Sequence, residues 1–505
     1  MTATDRAAPI EPTLAYPSRE RSARAAFWSL VDLAGGQGSS FFVFLVLARV
    51  IGPAQYGVFA LASSLLTLLA IFQYYGFADA IVQRAKVDEG FLDTVFWCDL
   101  VLAFCLIGVA QAAALPMARL FDAPLIEPVI RWLSILCLLQ ALVTVPTALC
   151  RRALQMHVFA ARTVLSYTVG GIVGIAMALH GYGVWALVAS QLVQYVVILL
   201  VMAWRFPWRP GLRASRAALV ELVGFAGHFM IGNGIKLSGD RISQLLVGMF
   251  VNAEGVGCYA VASRILVTAI VLTNSPIERV TLPVLSRLAH DLPSFRETYR
   301  KMVLVVNSVW TPVATGLGAT ATVLLPPLFG SRWAEAGPVL QAMCFTAPTL
   351  GLWYLSGQAL AALGQPQRFT RLAVAYLALA CVAFPISAYF GIVAAGWTWA
   401  GLSLFMVPLH LHAIKRACGL SIRLVLSDWS RVTVSAGVML AVITGVRERL
   451  PEGIASAGIA LAAGVATYLV LLELVLLPGH VGRMLALVRN KATPAGVVAV
   501  PEETA

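Results

Sequence analysis

The side chains best suited to handle a charged ligand sit in one short stretch. Asn233, Lys236, Asp240 and Gln244 are spaced by three, four and four residues, which on a helix keeps all four within about 80° of one another. They form one polar stripe, flanked by Arg241 and preceded by Gly232 and Gly234, where the helix can bend or admit close contact. Arg264 follows on the next apolar stretch. Counted inward from the intervening turn, Arg241 and Arg264 lie at equal depth, about 14 Å below the surface. Two guanidiniums at one level can chelate a diphosphate, and the amides of Asn233 and Gln244 can bond sugar hydroxyls. Asp240, beside cations in a low-dielectric setting, is a candidate for coupling to an ion gradient. The competing reading is structural: Lys236 and Asp240, at i and i+4, pair with each other, and Arg241 is held by Asp240 or a backbone carbonyl.

These residues need explaining because of where they sit. The chain is 59% hydrophobic and 12% charged over 505 residues, too little polar surface for a water-facing globule. Apolar stretches long enough to cross a ~30 Å hydrocarbon core recur along it. Spans are predicted near 25–50, 57–76, 95–115, 129–149, 160–180, 184–204, 222–250, 255–278, 302–327, 338–362, 369–390, 393–413, 430–446 and 454–478. The fold class is therefore all-α and polytopic, with about 14 transmembrane helices. An ionised group at mid-bilayer costs ~2.5–3.5 kcal/mol, so the polar stripe is expected to face an internal cavity.

Of the 36 Lys and Arg residues, 27 fall in the termini and every second connection, which by the positive-inside rule are cytoplasmic. The net charge of +12 thus needs no nucleic acid as partner. Residues 1–24 read as a cytoplasmic tail with no cleavable signal, leaving the first span as the insertion signal. The eight cysteines include no CxxC, so neither a disulfide framework, a metal site nor a cofactor is indicated.

An offset of 200 residues brings Ala54–Leu66 (AQYGVFALASSLL) over Glu254–Leu266 (EGVGCYAVASRIL), matching Gly57 with Gly257, Ala60 with Ala260, Ala62 with Ala262 and Ser63 with Ser263. The offset joins span two to span eight and preserves orientation, so it predicts parallel repeats about an axis along the membrane normal. The expected organisation is an N-lobe at 25–204 (spans 1–6), a linker at 205–221, a C-lobe at 222–413 (spans 7–12), a C-terminal helix pair within 414–478 and a tail at 479–505. Two six-helix lobes facing each other imply a central cavity, and a self-contained cavity favours a monomer. Span one adds Gln37 in AGGQGSS, either a sugar-binding surface or a small-residue packing seam.

The sequence resembles the bacterial polysaccharide transporters, or Wzx-type flippases, of the multidrug/oligosaccharidyl-lipid/polysaccharide exporter superfamily. The resemblance is carried by IGPAQYG at Ile51–Gly57, by GDRISQLLVGMFVNAEGVGCY at Gly239–Tyr259, by TLPVLSR at Thr281–Arg287 and by LFGSRW at Leu328–Trp333. It implies a carrier of the bacterial inner membrane, with both termini cytoplasmic, that moves undecaprenyl-diphosphate-linked oligosaccharide to the periplasmic leaflet for exopolysaccharide or lipopolysaccharide synthesis. A polymerase and glycosyltransferases acting on the same lipid-linked unit are the partners it implies. A cation-coupled drug exporter of the same superfamily is the alternative. A membrane glycosyltransferase or polymerase is disfavoured, because no long extramembrane loop carries acids or histidines for chemistry in water. Four further expectations follow from single residues and short segments. Leu282–Lys301 reads as an amphipathic surface helix. Pro276, Pro312, Pro348 and Pro385 interrupt spans as moving or static kinks. Trp28, Trp204, Trp208, Trp333 and Trp429 read as interfacial anchors, and the solitary Asp99 as making a local hydrogen bond.

Overall fold

In lipid every backbone N–H and C=O must be satisfied within the chain, which leaves an apolar sequence of this kind only helices. The computed structural model describes residues 19–473 except 75–76, 85–86, 214, 216–218, 220–221, 223–238, 240 and 452, and its regular elements are all helical. The N-terminal half comprises α1 (Arg19–Ile51), α2 (Pro53–Tyr74), the short α3 (Phe77–Gln83), α4 (Glu89–Leu120), α5 (Ile126–Leu133), α6 (Ile135–Arg152), α7 (Met156–Leu179) and α8 (Val184–Arg205). Helical residues 241–248 (α9) are followed by α10 (Ala253–Arg287), α11 (Leu292–Phe329), α12 (Ala336–Cys344), α13 (Leu350–Ala362), α14 (Pro366–Ala388) and α15 (Ile392–Cys418). The last two described helices are α16 (Ile422–Arg449) and α17 (Ile454–Leu471).

Among the described residues, eleven helical stretches are long and apolar enough to cross a membrane. Three expected spans fall short of that test for separate reasons. The first qualifies only as the shorter apolar helix Gly35–Ile51. Most of 222–250 lies outside the described residues. The span expected at 338–362 is broken into α12 and α13, because a helix running through Pro348 would lose an amide donor and press its ring on the carbonyl of Cys344. The Trp429 indole of α16 donates to the Pro348 carbonyl at 2.6 Å, in that break. Elsewhere prolines do not end helices: α11 continues through Pro312 and α14 through Pro385.

Large apolar side chains point outward along α4 (Val101, Phe104, Val109) and α14 (Val382, Ile386), as helices facing lipid tails require. By contrast, two thirds of the apolar window of α10 is buried, against 17% for α14, which marks α10 as the central helix. α16 and α17 pack on α11. Tyr468 donates to the Ser308 carbonyl (3.1 Å), Arg447 to the Ala319 carbonyl (2.6 Å), and Arg300 grips Asp428 through two nitrogens at 2.5 and 3.0 Å.

The amphipathic surface helix expected over Leu282–Lys301 is not there. α10 runs through Arg287, the chain turns at 288–291, and α11 starts under an Asp291 cap whose carboxylate accepts the Ser294 amide. The apolar residues that suggested an interfacial face pack inward instead: Leu285 and Phe295 are fully buried with Leu355, Leu360 and Ile414.

Candidate functional site

α2 and α10 cross at the two glycines matched by the 200-residue offset. A Cβ on Gly57 would stand 1.8 Å from the Ala253 carbonyl oxygen, and one on Gly257 would stand 2.0 Å from that of Pro53. The contact is reciprocal: position 57 meets 253 as position 257 meets 53, as a two-fold relation requires. Only glycine lets the backbones approach this closely.

Beyond the crossing the helices part around a cavity of about 290 Å³. Ala60, Ser63 and Thr67 line it from α2, and Ala260, Ser263 and Val267, their offset equivalents, line it from α10. Both arginines singled out by the sequence reach it, Arg241 from α9 and Arg264 from α10, together with Gln244. The opposing wall comes from Ser40 on α1, Tyr167 on α7 and Ser190, Gln191 and Gln194 on α8. Arg264 spans the gap, donating from Nη2 to the Ser40 hydroxyl at 2.8 Å. Buried Ser64 donates to the Gln244 side-chain carbonyl at 2.9 Å, so that amide pins α9 to α2 while lining the cavity. The buried Tyr56 ring lines the cavity with the two arginines.

The remaining sequence candidates fare differently. Asn233, Lys236 and Asp240 lie outside the described residues. Gln37 does not line the cavity; in its run, Gly35 and Gly36 face Val164 and Thr163 of α7 at Cβ distances of 3.0 and 2.9 Å. The glycines of AGGQGSS thus pack against α7, while Ser40 at the end of the run lines the cavity. The α7–α8 wall escaped the sequence analysis, although Leu187, Ser190, Gln191 and Gln194 follow an i, i+3, i+4, i+7 pattern that marks one helix face.

Toward the end carrying Arg49 and Arg332 the cavity is closed by aromatic side chains. Phe44 meets Tyr56 and Phe329 at ring-centroid distances of 5.8 and 5.5 Å, and Trp333 stacks edge-on against Tyr56 at 5.8 Å. The Trp333 indole donates to the Ala48 carbonyl (3.1 Å), and Arg49 donates to the carbonyls of Pro327 and Leu328 (2.8 and 3.1 Å). Trp333 is 1% exposed, so it is a closure residue and not the lipid-interface anchor expected for it. The sequence segments IGPAQYG and LFGSRW thus form the two faces of one seal.

The profile of a family described as "Polysaccharide biosynthesis protein" matches residues 46–338, more than half of the chain, including the crossing and all of the seal except Phe44. The chain belongs to this family. It is 25% identical over 313 residues to the succinoglycan biosynthesis transport protein ExoT of Rhizobium meliloti (strain 1021), covering 62% of this chain and 63% of that protein. It is 24% identical over 333 residues to the lipopolysaccharide biosynthesis protein WzxC of Escherichia coli (strain K12), covering 65% and 67%. Its fold matches that of the lipid II flippase MurJ in an inward closed conformation, with a TM-score of 0.73 and 12% identity over 92% of this chain and all of that one. An inward-facing multidrug resistance transporter of the MATE family matches with a TM-score of 0.61 and 15% identity over 80% and 98%. The fold is thus one shared with a lipid II flippase and with a transporter of the MOP superfamily.

Proposed function

We propose that this protein flips undecaprenyl-diphosphate-linked oligosaccharide from the cytoplasmic to the periplasmic leaflet by alternating access. The observation that carries the reading is the composition of the central cavity. Two arginines from the C-terminal half face a wall of hydroxyls and amides from the N-terminal half. Guanidiniums suit a diphosphate, which accepts hydrogen bonds through several oxygens at once, and serine, tyrosine and glutamine suit sugar hydroxyls. The two guanidiniums on its wall favour an anionic headgroup over the cationic drugs of an exporter.

The cavity is close to the ~300 Å³ lower bound of ligand pockets, so it takes a headgroup, and a longer oligosaccharide needs the halves to part further. In the mechanism we infer, the headgroup enters from the cytoplasmic side while the aromatic seal is closed, and Arg264 exchanges Ser40 for phosphate oxygens. The two lobes then rock about the Gly57–Gly257 crossing, which opens the seal, while the lipid tail stays in the bilayer. No covalent bond changes. The relatives' names place them in succinoglycan and lipopolysaccharide synthesis; a secreted or surface polysaccharide is the product class proposed here, with a polymerase receiving the flipped unit.

Depletion of the protein tests the reading, with lipid-linked oligosaccharide assigned to a leaflet by an impermeant sugar-modifying probe in intact and opened cells. Accumulation on the inner leaflet with loss of surface polysaccharide is expected. Accumulation on the outer leaflet would reassign the protein to a later step, and an unchanged pool with heightened sensitivity to cationic drugs would move it to export.

A further inference from the structure

A second polar pocket lies inside the N-terminal half, and among the described residues it shares no lining side chain with the central cavity. Three helices border both. Along each of them the second pocket lies further toward the end that carries Arg84, Arg152 and Arg205: Thr67 and then Gln73 on α2, Tyr167 and then Arg162 on α7, Gln194 and then Ile198 on α8. On the topology expected from the charges, that end lies at the cytoplasmic leaflet. The pocket has a volume of about 110 Å³, room for a tetrahedral oxyanion, and α6 adds a polar stripe to its wall. Gln140, Thr144, Thr147 and Arg151 recur there at helical spacing, which turns all four to one side.

Positive charge is gathered at one end of this pocket. Arg162 stands over the Phe159 ring at 3.8 Å and Arg151 at 5.4 Å, so one aromatic side chain draws together two guanidiniums from different helices. Like charges held this close repel, and away from bulk water an anion between them relieves the cost. Asp79 of α3 is 3.9 Å from Arg151, a loose pair that an incoming anion can replace. Arg162 donates from Nη1 to the Thr147 hydroxyl at 2.9 Å, which leaves that hydroxyl its own proton to give. By contrast Arg152, next in the chain, is spent on the carbonyls of Ile81 (3.1 Å) and Arg84, where it ties α6 to the end of α3. At the far end of the pocket Gln73 and Thr144 reach the buried Asp99 of α4, which confines an anion to the arginine end.

We propose that this pocket is a second anion site, which binds a phosphate group between Arg151 and Arg162 with the Thr147 hydroxyl as a third donor. Two planar forks and a hydroxyl, arriving from two helices, match the several oxygens of a tetrahedral phosphate better than the two coplanar oxygens of a carboxylate. The phosphate comes either free from water or on the headgroup of an anionic lipid in the adjoining leaflet. No covalent bond changes. A lipid-linked diphosphate would meet this site before the central cavity; that consequence rests on the flippase reading, whereas phosphate binding does not.

Native mass spectrometry of the full-length protein tests the site with two probes, inorganic phosphate and dioleoyl phosphatidic acid. Dioleoylglycerol, with the same tails and no phosphate, is the control, and an Arg264→Ala background weakens the central cavity as a competitor. Arg151→Gln and Arg162→Gln should each weaken binding of a phosphate probe by about tenfold or more and leave dioleoylglycerol unchanged. Gln140→Phe fills the space, keeps both guanidiniums and should have the same effect. If Arg162→Gln does not accumulate, Arg151→Gln and Gln140→Phe decide. Loss of inorganic phosphate marks a site open to the free anion, and loss confined to phosphatidic acid assigns it to the lipid headgroup. Failure of both probes to bind, or unchanged binding in the arginine variants, would overturn the proposal. So would an effect of the arginines with none from Gln140→Phe, the behaviour of a charged surface without a pocket, or an equal loss of dioleoylglycerol. Export is not read in this experiment, so failure of the site leaves the flippase reading standing.

Discussion

The same helices do opposite things at their two ends. Near Arg49 and Arg332, α1 and α2 meet the C-terminal half through Phe44, Tyr56, Phe329 and Trp333, a buried aromatic seal fastened by hydrogen bonds to backbone carbonyls. Two turns further along α2 and α10, the halves stand apart around a polar cavity, and side chains such as Arg264 reach across it. The seal is apolar and shape-dependent, while the cavity is held by single polar contacts that a ligand can replace at little cost. The alternating access proposed above needs this asymmetry: one end must exclude water and ions while the other exchanges its internal hydrogen bonds for those of a headgroup.

Gly57→Leu should break the contrast outright. The new side chain collides with the Ala253 carbonyl, a backbone atom that cannot rotate away. Overpacking of this kind costs ~1–3 kcal/mol or more, so the thermal midpoint of the purified protein should drop markedly, and Gly257→Leu should match it. An unchanged midpoint would mean the helices do not cross here. Arg264→Ala should leave folding intact and remove the charge-assisted bonds, worth ~1.5–3 kcal/mol and hence about 10–100-fold in transport. Surface polysaccharide measured at equal protein level checks this, and Arg264→Lys should recover only part, because a point charge cannot grip a diphosphate as a planar fork does. Trp333→Phe keeps the ring but loses the donor to the Ala48 carbonyl. At ~1 kcal/mol it should loosen the seal and raise outside thiol labelling of a cysteine at position 56 several-fold. Gln244→Ala is expected to have the least effect. The Ser64 hydroxyl can turn to its own helix backbone, so export should fall by about fivefold at most.

Much of this contrast is legible in the residues. Hydropathy places the long helices of the N-terminal half to within about six residues, missing the short α3 and the break between α5 and α6, and the offset-200 match picks out Gly57 and Gly257, whose exclusion of any side chain explains why both are glycine. Arg264 and Arg241 stand out because charge is rare in spans. The other features depend on tertiary packing. Gln191 and Gln194 look like isolated polar residues until α8 is placed beside α1 and α7, and Trp333 looks like an interfacial anchor until Tyr56 is seen against it. Leu285 and Phe295 show why the amphipathic reading failed: an apolar stripe bounded by arginines fits a membrane surface or a protein groove equally well, and only α13 and α15 decide between them.

The most direct test of the account is to lock the seal. In a chain freed of its eight native cysteines, cysteines at 49 and 328, where Arg49 now bonds the Leu328 carbonyl, would be joined by a short cleavable cross-linker and export compared before and after cleavage. Alternating access predicts that the cross-linked protein exports nothing and that cleavage restores export in the same sample. Undiminished export with the seal cross-linked would contradict it.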